Sequence, residues 1–387
     1  MIQEIRIKNY LSFRDEVVLS FEATKDTTFE ECQVVNVTPK VRLLRFALIY
    51  GANASGKSNL LNAMDFLRDF WFDKKSDIDE ETGVVPFLLD TETPNEPSEF
   101  NIKFFVGDKR YWYALVLDDK QVIKEDLYVY NSVQPSLVFS RELDGTASLI
   151  KLNASLVKAN ATIVEQLNVK CLSNMSFFAA RNQVNCSLAY IDEVRDWMKN
   201  NMMPIIQPGT RMFEYAGKQM EKNAELKAYI LDFVHKADYN ITDVYTEREK
   251  VPIPDIVKAS IMEDKDIPEK AKEKMLADNA LERLRTDFQH TVKNKRGEEN
   301  YRLPNSLQSE GTKRTFGIEA AIYEAIKTNG ILPIDEIESS LHPELVEFII
   351  EKFLKEKSRS QLIVTSHYDP LLNTVDDLIR KDSVWFT

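Results

Sequence analysis

One stretch of the sequence decides the fold: residues 43–72 are LLRFALIYGANASGKSNLLNAMDFLRDFWF. Its first eight residues are a near-continuous apolar run, which is typical of a strand buried on both faces of an α/β sheet. Residues 59–72 carry apolar side chains at helical spacing. Between them, GANASGKS at 51–58 matches the pattern G-x-x-x-x-G-K-[ST]. The order of strand, glycine loop and helix predicts a P-loop rather than a chance glycine turn.

The residues of this loop predict ATP and Mg²⁺ as ligands. Gly51 and Gly56 allow the backbone to turn so that successive N–H groups and the helix N-terminus face a phosphate. Lys57 would then reach the β- and γ-phosphates, and Ser58 would bind the magnesium ion. The residues that we expect to contact the nucleotide here are Gly51, Asn53, Ala54, Ser55, Gly56, Lys57, Ser58 and Asn59.

Two later apolar stretches end in polar residues that fit the same chemistry. ILPIDEIE at 331–338 would place Asp335 on the magnesium ion and Glu336 as the general base for water. QLIVTSHYDP at 361–370 ends in His367, which we expect to contact the γ-phosphate, although a lone histidine is more often structural. Ligands of open α/β sheets bind outside the carboxyl ends of the strands, so these strand ends should meet in one crevice.

A fourth segment, LQSEGTKRTF at 307–316, precedes a predicted helix. Ser309 can cap that helix, and Gly311 permits close approach of another backbone. Helix capping alone would account for both residues. In its position, about two dozen residues before ILPIDEIE, the segment also resembles the signature of ABC-type ATPases, a loop that presents N–H groups and a serine to the nucleotide of a partner subunit.

The composition limits the classes of function. A chain of 387 residues with 43% hydrophobic residues can form two to three domains with a sizeable core. Three cysteines without C-x-x-C spacing indicate neither a disulfide framework nor a zinc site. No apolar run is long enough to cross a bilayer, and no signal peptide is evident, so we expect a cytoplasmic protein without membrane contact. The net charge of −12 does not indicate nucleic-acid binding, which would need a local basic patch.

The rest of the chain shows strands first and helices later. Residues 2–21 predict two paired strands, and residues 99–138 predict an antiparallel meander of three. Residues 187–285 carry charge-rich segments of helical period, including PEKAKEKMLADNALERLR at 268–285, and predict a helical insertion. Residues 287–304 then predict a hairpin. No heptad pattern continues long enough for a coiled-coil arm.

The ordered set GANASGKSN, SEGTKR, IDEIESSLHP and TSHYDP resembles the ABC-type ATPases of the SMC and RecF kind. It is more similar to bacterial AAA-15/AAA-21 family ATPases of the AbiLi or RloA type, which belong to antiphage systems. The resemblance implies an ABC-type P-loop NTPase head of α/β class, with an N-terminal antiparallel β-subdomain and a helical insertion. It implies a signature at Ser309–Lys313 that includes Gly311, a D-loop at 339–342 and a switch histidine at His367; Gln183 is the candidate Q-loop glutamine.

The resemblance also implies domain limits and partners. We expect residues 1–150 to form the β-subdomain and the P-loop part of the core, 151–300 a mainly helical insertion, and 301–387 the part with signature, Asp335 and His367. It implies a head-to-tail homodimer, or a higher homo-oligomer, around ATP, and an effector protein such as a nuclease or toxin that the ATPase controls.

Two other functions remain open at this point. A DNA-repair or recombination ATPase head would share the nucleotide chemistry but usually carries a long coiled-coil insertion before the signature. A transporter subunit would have a signature close to LSGGQ, whereas this chain has SEGTK, and a shorter interval than the one from Ser58 to Ser309. The sequence therefore favours the antiphage ATPase.

Overall fold

The computed structural model of the chain describes residues 1–145, 147–237, 240–264, 268–278 and 280–387. The strands, numbered in chain order, are β1 Ile2–Lys8, β2 Val17–Ser20, β3 Val34–Thr38, β4 Val41–Leu44, β5 Phe46–Tyr50, β6 Ser98–Val106, β7 Lys109–Leu117, β8 Val122–Tyr130, β9 Ser136–Asp144, β10 Ala147–Leu152, β11 Asp243–Pro252, β12 Ala280–Asn294, β13 Gly297–Pro304, β14 Ile331–Ile334, β15 Gln361–Ser366 and β16 Val384–Phe386. The helices are α1 Glu30–Gln33, α2 Lys57–Phe70, α3 Ala161–Lys170, α4 Phe177–Arg181, α5 Ile191–Asn201, α6 Met212–Lys222, α7 Ala224–Lys236, α8 Asp255–Glu263, α9 Glu269–Asp278, α10 Glu310–Thr328, α11 Pro343–Lys355 and α12 Pro370–Asn373.

These elements form two compact units. The first unit comprises Met1–Pro208, Glu324–Ser339 and Val346–Thr387, and the second comprises Gly209–Tyr323 and Ser340–Leu345. The first unit contains a seven-stranded sheet in the order β10-β9-β8-β7-β6-β1-β2, whose neighbours pair antiparallel. Side chains alternate between core and exterior along its strands, as in β6, where Phe100, Ile102 and Phe104 are fully buried. The predicted pairing of residues 2–21 and the predicted meander are both present.

A second sheet of the first unit has the order β14-β15-β5-β16 and is parallel throughout. Its strands β14 and β15 are buried at every position, which explains their continuous apolar sequence. Because the pairing is parallel, the carboxyl ends of β5, β14 and β15 lie at one edge of the sheet. Pro333 is tolerated because β14 is the last strand of the four, so its missing N–H interrupts no ladder to a further strand of this sheet.

Helix α2 packs against the core of the first unit along one face. Its buried apolar residues are Leu60, Leu61, Ala63, Met64, Leu67 and Phe70, with the three- and four-residue spacing of an amphipathic helix. They share one apolar cluster with Ala47 and Ile49 of β5 and with Phe100 of β6. This packing fixes the position of α2, and with it the P-loop that precedes the helix, relative to β5.

The second unit contains the sheet β11-β12-β13 and helices α6 to α9. The predicted hairpin is β12 and β13. Within residues 187–285, predicted to be a helical insertion, α6 and α7 follow each other, and Asn223 caps α7 by accepting a hydrogen bond from Leu226 N at 3.0 Å. The helix predicted over 268–285 was wrong in its last part, because residues from Ala280 onward form β12. Ten residue pairs with β11 outweigh the helical propensity of this segment.

The α/β class is confirmed, with an antiparallel β-subdomain at the N-terminus, a strand, P-loop and helix, and a later segment rich in helices. Among the described residues, no helix combines the length and the apolar character needed to cross a membrane.

Candidate functional site

The loop between β5 and α2 is tightly turned. Gly56 has φ 100°, and a Cβ atom there would lie 2.9 Å from Ser12 Oγ and 3.2 Å from a ring carbon of Phe13. Ala54 also has a positive φ, of 63°, which few residues other than glycine adopt. The predicted glycine turn therefore forms against the loop that joins β1 to β2, and only glycine fits at position 56 without strain.

Lys57 is buried in the first turn of α2, with 6% of its surface exposed. Its Nζ donates hydrogen bonds to the carbonyl oxygens of Gly51 and Ala52, each at 2.8 Å. These acceptors compensate part of the cost of burying an ammonium group. They belong to the loop itself, so the lysine charge is held at the place where the sequence predicts phosphate binding.

Ser58, Asp335 and Thr365 bring three side-chain oxygens together at the carboxyl edge of the parallel sheet. Ser58 Oγ donates to Asp335 Oδ1 at 3.1 Å, and Thr365 Oγ1 donates to the same oxygen at 2.5 Å. Asp335 is 8% exposed and Thr365 is fully buried. The ends of β14 and β15, which were predicted to meet, are thus in direct side-chain contact, and Ser58 at the start of α2 joins them.

The donor set of Ser58 and Asp335 fits a magnesium ion. Both provide hard oxygen ligands, which Mg²⁺ prefers. Among the described residues there is no group of three or more His, Cys, Asp or Glu that could hold a metal ion. Mg²⁺ sites of enzymes that act on nucleotides commonly use only one or two protein carboxylates together with substrate phosphates, so one carboxylate and one hydroxyl are compatible with this ion.

Glu336 follows Asp335 in an unusual backbone conformation, with φ 45°. The Glu336 N–H donates to the side-chain hydroxyl of Thr365, Oγ1, at 2.8 Å. The N–H of Ile337 donates to the backbone carbonyl oxygen of Thr365 at 3.2 Å. A left-handed backbone at a residue other than glycine costs free energy and is concentrated at functional sites. The backbone thus turns at Glu336, and two hydrogen bonds to Thr365 connect this turn to β15.

His367 lies directly after β15 and contacts Glu338. Glu338 Oε1 lies 3.0 Å from His367 Nδ1 and accepts the His367 backbone N–H at 3.0 Å. Nearby, Asp369 accepts a hydrogen bond from the Tyr50 hydroxyl, and this bond raises the pKa of Tyr50. Sequence reasoning identified His367 but missed Glu338, whose contact depends on the pairing of residues 337 and 365.

Ser309 and Gly311 lie in the second unit, at the start of α10. Ser309 Oγ accepts a hydrogen bond from Thr312 N at 3.0 Å, so Ser309 caps the helix. A Cβ atom on Gly311 would lie 2.6 Å from the carbonyl oxygen of Ser340, in the predicted D-loop. The close backbone approach predicted for Gly311 is therefore present, and the role of both residues at a nucleotide stays a prediction.

The remaining predicted loop residues have other contacts or are exposed. Asn53 is exposed, and Asn59 Nδ2 donates to Ser12 Oγ at 2.9 Å. Ser55 Oγ lies 2.7 Å from Thr387 Oγ1, because β16 pairs with β5 and continues beside the P-loop. Sequence reasoning missed the contact with Thr387, and no motif in β16 signals it.

Gln183 donates to the carbonyl oxygen of Ala179 at 3.5 Å, and its role as a Q-loop residue also stays a prediction.

The chain matches the model of the AAA-21 family, described as "AAA domain, putative AbiEii toxin, Type IV TA system". The match covers residues 46–151 and 213–373, which is more than half of the chain. The chain belongs to this family. The matched ranges contain the P-loop, Ser309, Asp335 and His367, so the resemblance to AAA-21 family ATPases is confirmed.

No curated protein matches the sequence. Among solved structures, the AAA-21 chain is similar to the "SMC head domain from Thermotoga maritima", with a TM-score of 0.41, 12% identity, and coverage of 97% of this chain and 92% of that one. It is also similar to "SmcHead bound to the C-winged helix domain of ScpA", with a TM-score of 0.41, 14% identity, and coverage of 99% and 96%.

Proposed function

We propose that this chain binds ATP with Mg²⁺ and hydrolyses it to ADP and phosphate. The observation that carries the proposal is the cluster of Ser58, Asp335 and Thr365 oxygens, with Lys57 next to Ser58 in the P-loop. A buried lysine bonded to loop carbonyls can exchange them for phosphate oxygens of higher charge. Membership of a P-loop ATPase family supports the same activity.

Each residue has a defined task in this proposal. The P-loop N–H groups and Lys57 would bind the phosphates. Ser58 and Asp335 would hold Mg²⁺, which supplies charge neutralisation on the phosphates when bound. Glu336 would accept a proton from water while the water oxygen bonds to the γ-phosphorus and the bond from that phosphorus to the β,γ-bridging oxygen breaks. His367 would bind a γ-phosphate oxygen, and ADP leaves.

We further propose that ATP turnover makes the chain the switch subunit of an antiphage system. The family description names a toxin and a toxin–antitoxin system, which supports a role in defence over one in DNA repair. In this proposal two copies pair head to tail around ATP, and the pair controls an effector protein. Ser309 and Gly311 of one copy would then complete the site of the other.

The activity is tested by comparing wild-type protein with Lys57→Ala and Glu336→Gln. We expect Lys57→Ala to lose ATP binding, because the loop loses its phosphate-directed charge. We expect Glu336→Gln to bind ATP but to hydrolyse it at least about a hundredfold more slowly, since it cannot accept the proton. Calorimetry measures binding, and phosphate release measures turnover.

A matched control is Lys74→Ala, which removes an exposed lysine beyond the end of α2. This variant should bind and hydrolyse ATP like the wild type. Wild-type affinity in Lys57→Ala would refute the P-loop assignment. Wild-type turnover in Glu336→Gln would show that another group is the general base.

A further inference from the structure

We propose that Glu338 is a positioning residue that orients His367, an inference that rests on the proposed ATP hydrolysis. One carboxylate oxygen, Oε1, accepts the backbone N–H of His367 at 3.0 Å and lies 3.0 Å from ring atom Nδ1. The same oxygen thus contacts both the backbone and the ring of His367. Glu338 is the anchored partner, because its side chain is 12% exposed whereas that of His367 is 46% exposed.

The backbone explains why these two residues meet. Ile337 N donates to the carbonyl oxygen of Thr365 at 3.2 Å, so the chain after β14 still pairs with the end of β15. One residue beyond that bond on the first strand is Glu338, and two residues beyond it on the second is His367. The register of the parallel sheet therefore brings Glu338 and His367 together.

The contact determines which ring nitrogen of His367 is free. A carboxylate oxygen offers only lone pairs, so its 3.0 Å approach to Nδ1 favours a proton on that nitrogen, and Nε2 is left to face another ligand. Carboxylates fix the tautomer and orientation of catalytic and metal-bound histidines in this way. In the proposed reaction a γ-phosphate oxygen accepts a hydrogen bond from Nε2–H, so the ring that binds ATP carries a proton on both nitrogens, and Glu338 determines which of the two faces the phosphate.

The second oxygen of Glu338 argues against a purely structural role. Oε2 is buried and accepts no hydrogen bond within the part of the chain that the structure describes. A buried carboxylate oxygen without a donor is costly, and such groups are rare unless they serve a function.

The test combines kinetics with a direct measurement on the ring. Glu338→Ala should lower kcat for ATP by roughly 10- to 100-fold, as loss of an orienting carboxylate does at other histidines, while the KM for ATP changes little. Glu338→Gln should retain most of the rate, because its amide oxygen can accept the His367 backbone N–H and lie beside Nδ1 in the same way. Glu351→Ala, which removes an exposed glutamate bonded to Lys355 at 2.6 Å, is the matched control and should not differ from the wild type.

A double variant separates positioning from an independent role. If Glu338 acts through His367, then Glu338→Ala combined with His367→Ala should be no slower than His367→Ala alone. A further decrease by the full factor of the single Glu338 variant would overturn the proposal. Wild-type kcat in Glu338→Ala, in protein that unfolds cooperatively, would also overturn it.

The tautomer can be measured whether or not ATP is hydrolysed. The chain has four histidines, so the nitrogen resonances of His367 in ¹⁵N-histidine-labelled protein are assigned by their loss in His367→Ala. The wild type and Glu338→Gln should show a proton on Nδ1, and Glu338→Ala should lose it. An unchanged tautomer in Glu338→Ala would refute the positioning role. If the wild type hydrolyses no ATP while the tautomer depends on Glu338, the proposed function fails and the contact between the two residues stands.

Discussion

Thr365 connects the two acidic residues of the candidate site. Its hydroxyl donates to Asp335 Oδ1 at 2.5 Å and accepts the N–H of Glu336 at 2.8 Å. Both the donor and the acceptor capacity of this buried group are thus used. Because Glu336 has a left-handed backbone, the hydrogen bond from its N–H contributes to holding a conformation that is unfavourable in isolation.

We expect Thr365→Val to impair both the fold and the reaction. Valine has nearly the same shape but leaves the Glu336 N–H without this acceptor, which costs about 1–3 kcal/mol of unfolding free energy. The position of Glu336 should then be less well defined, and kcat for ATP should fall by roughly 10- to 100-fold. Urea denaturation and phosphate release measure the two effects.

Thr365→Ser is the matched control, because it keeps the hydroxyl and removes only a methyl group. It should retain a kcat close to that of the wild type. If Thr365→Val hydrolyses ATP as fast as Thr365→Ser, the bridge between Asp335 and Glu336 has no part in catalysis.

At the scale of residues, the sequence predicted the P-loop and the acidic and histidine strand ends, because each follows a buried apolar strand in a recognisable order. It could not predict the bridging role of Thr365 or the contact of Glu338 with His367. Both depend on the register between β14 and β15, which is determined by packing of the whole sheet. The contact between Asn59 and Ser12 likewise joins segments 47 residues apart.

Among the strands of the large sheet, β8 and β9 are joined by a buried ion pair. Arg141 and Glu125 are both fully buried, and Arg141 Nη1 lies 3.0 Å from Glu125 Oε2. Arg141 also donates to carbonyl oxygens of residues 172, 173 and 175, and Glu125 accepts from Phe177 N at 2.8 Å. The pair thereby attaches the segment before α4 to the sheet. Burial and the nearby Glu125 carboxylate raise the pKa of Tyr113, so this tyrosine stays neutral beside the pair.

We expect Arg141→Leu to lower the free energy of unfolding by about 3–5 kcal/mol, because it leaves a buried carboxylate without its cation. The combined change Arg141→Leu with Glu125→Leu should be less destabilising than Arg141→Leu alone, since no unpaired charge remains. Equilibrium urea denaturation measures both.

An exposed ion pair of the same sheet provides the control. Lys8 Nζ lies 3.0 Å from Glu99 Oε1, and both side chains are more than a third exposed. Lys8→Met should therefore cost no more than about 1 kcal/mol. Equal losses in Lys8→Met and Arg141→Leu would contradict the assignment of Arg141 as an internal anchor.

At the scale of elements, the alternation of apolar and polar residues predicted β1, β2 and the meander. This pattern is local in the sequence, and it arises because one face of the sheet is buried. The segment Ala280–Arg285 was predicted to be helical because its composition favours a helix, yet it extends β12. Ladder pairing with β11 is a long-range interaction that composition does not encode. The same reason explains why β16 could not be predicted to lie beside β5.

The whole molecule divides the predicted nucleotide contacts between its two units. Gly51–Ser58, Asp335 and His367 lie in the first unit, and Ser309 and Gly311 lie in the second. In the head-to-tail arrangement that we propose, each active site combines the P-loop of one copy with the signature of the other. Symmetric pairing of two copies then generates two such composite sites.

This arrangement predicts that two inactive variants restore activity when mixed. Lys57→Ala should be inactive because it lacks nucleotide binding, and Ser309→Arg because a bulky cation obstructs the site of the partner copy. A mixed dimer contains one site with both lesions and one site with neither. Random exchange of subunits should therefore recover up to about a quarter of wild-type ATP turnover, if the two sites of a dimer act independently.

Because Ser309 also caps α10, the mixing experiment needs a control that separates loss of the cap from obstruction of the partner's site. Because Ser309 Oγ accepts the N–H of Thr312, a substitution that removes the capping oxygen, such as Ala or Arg, costs about 1 kcal/mol of stability irrespective of a partner subunit. Ser309→Ala loses the same cap without adding bulk, so it should hydrolyse ATP much faster than Ser309→Arg while the two have similar melting temperatures. If both variants hydrolyse ATP at the wild-type rate, Ser309 is only a helix cap and the composite site is excluded. If Ser309→Arg is inactive but mixing with Lys57→Ala restores nothing, the defect lies within one chain, and the head-to-tail dimer is wrong even though the P-loop assignment stands.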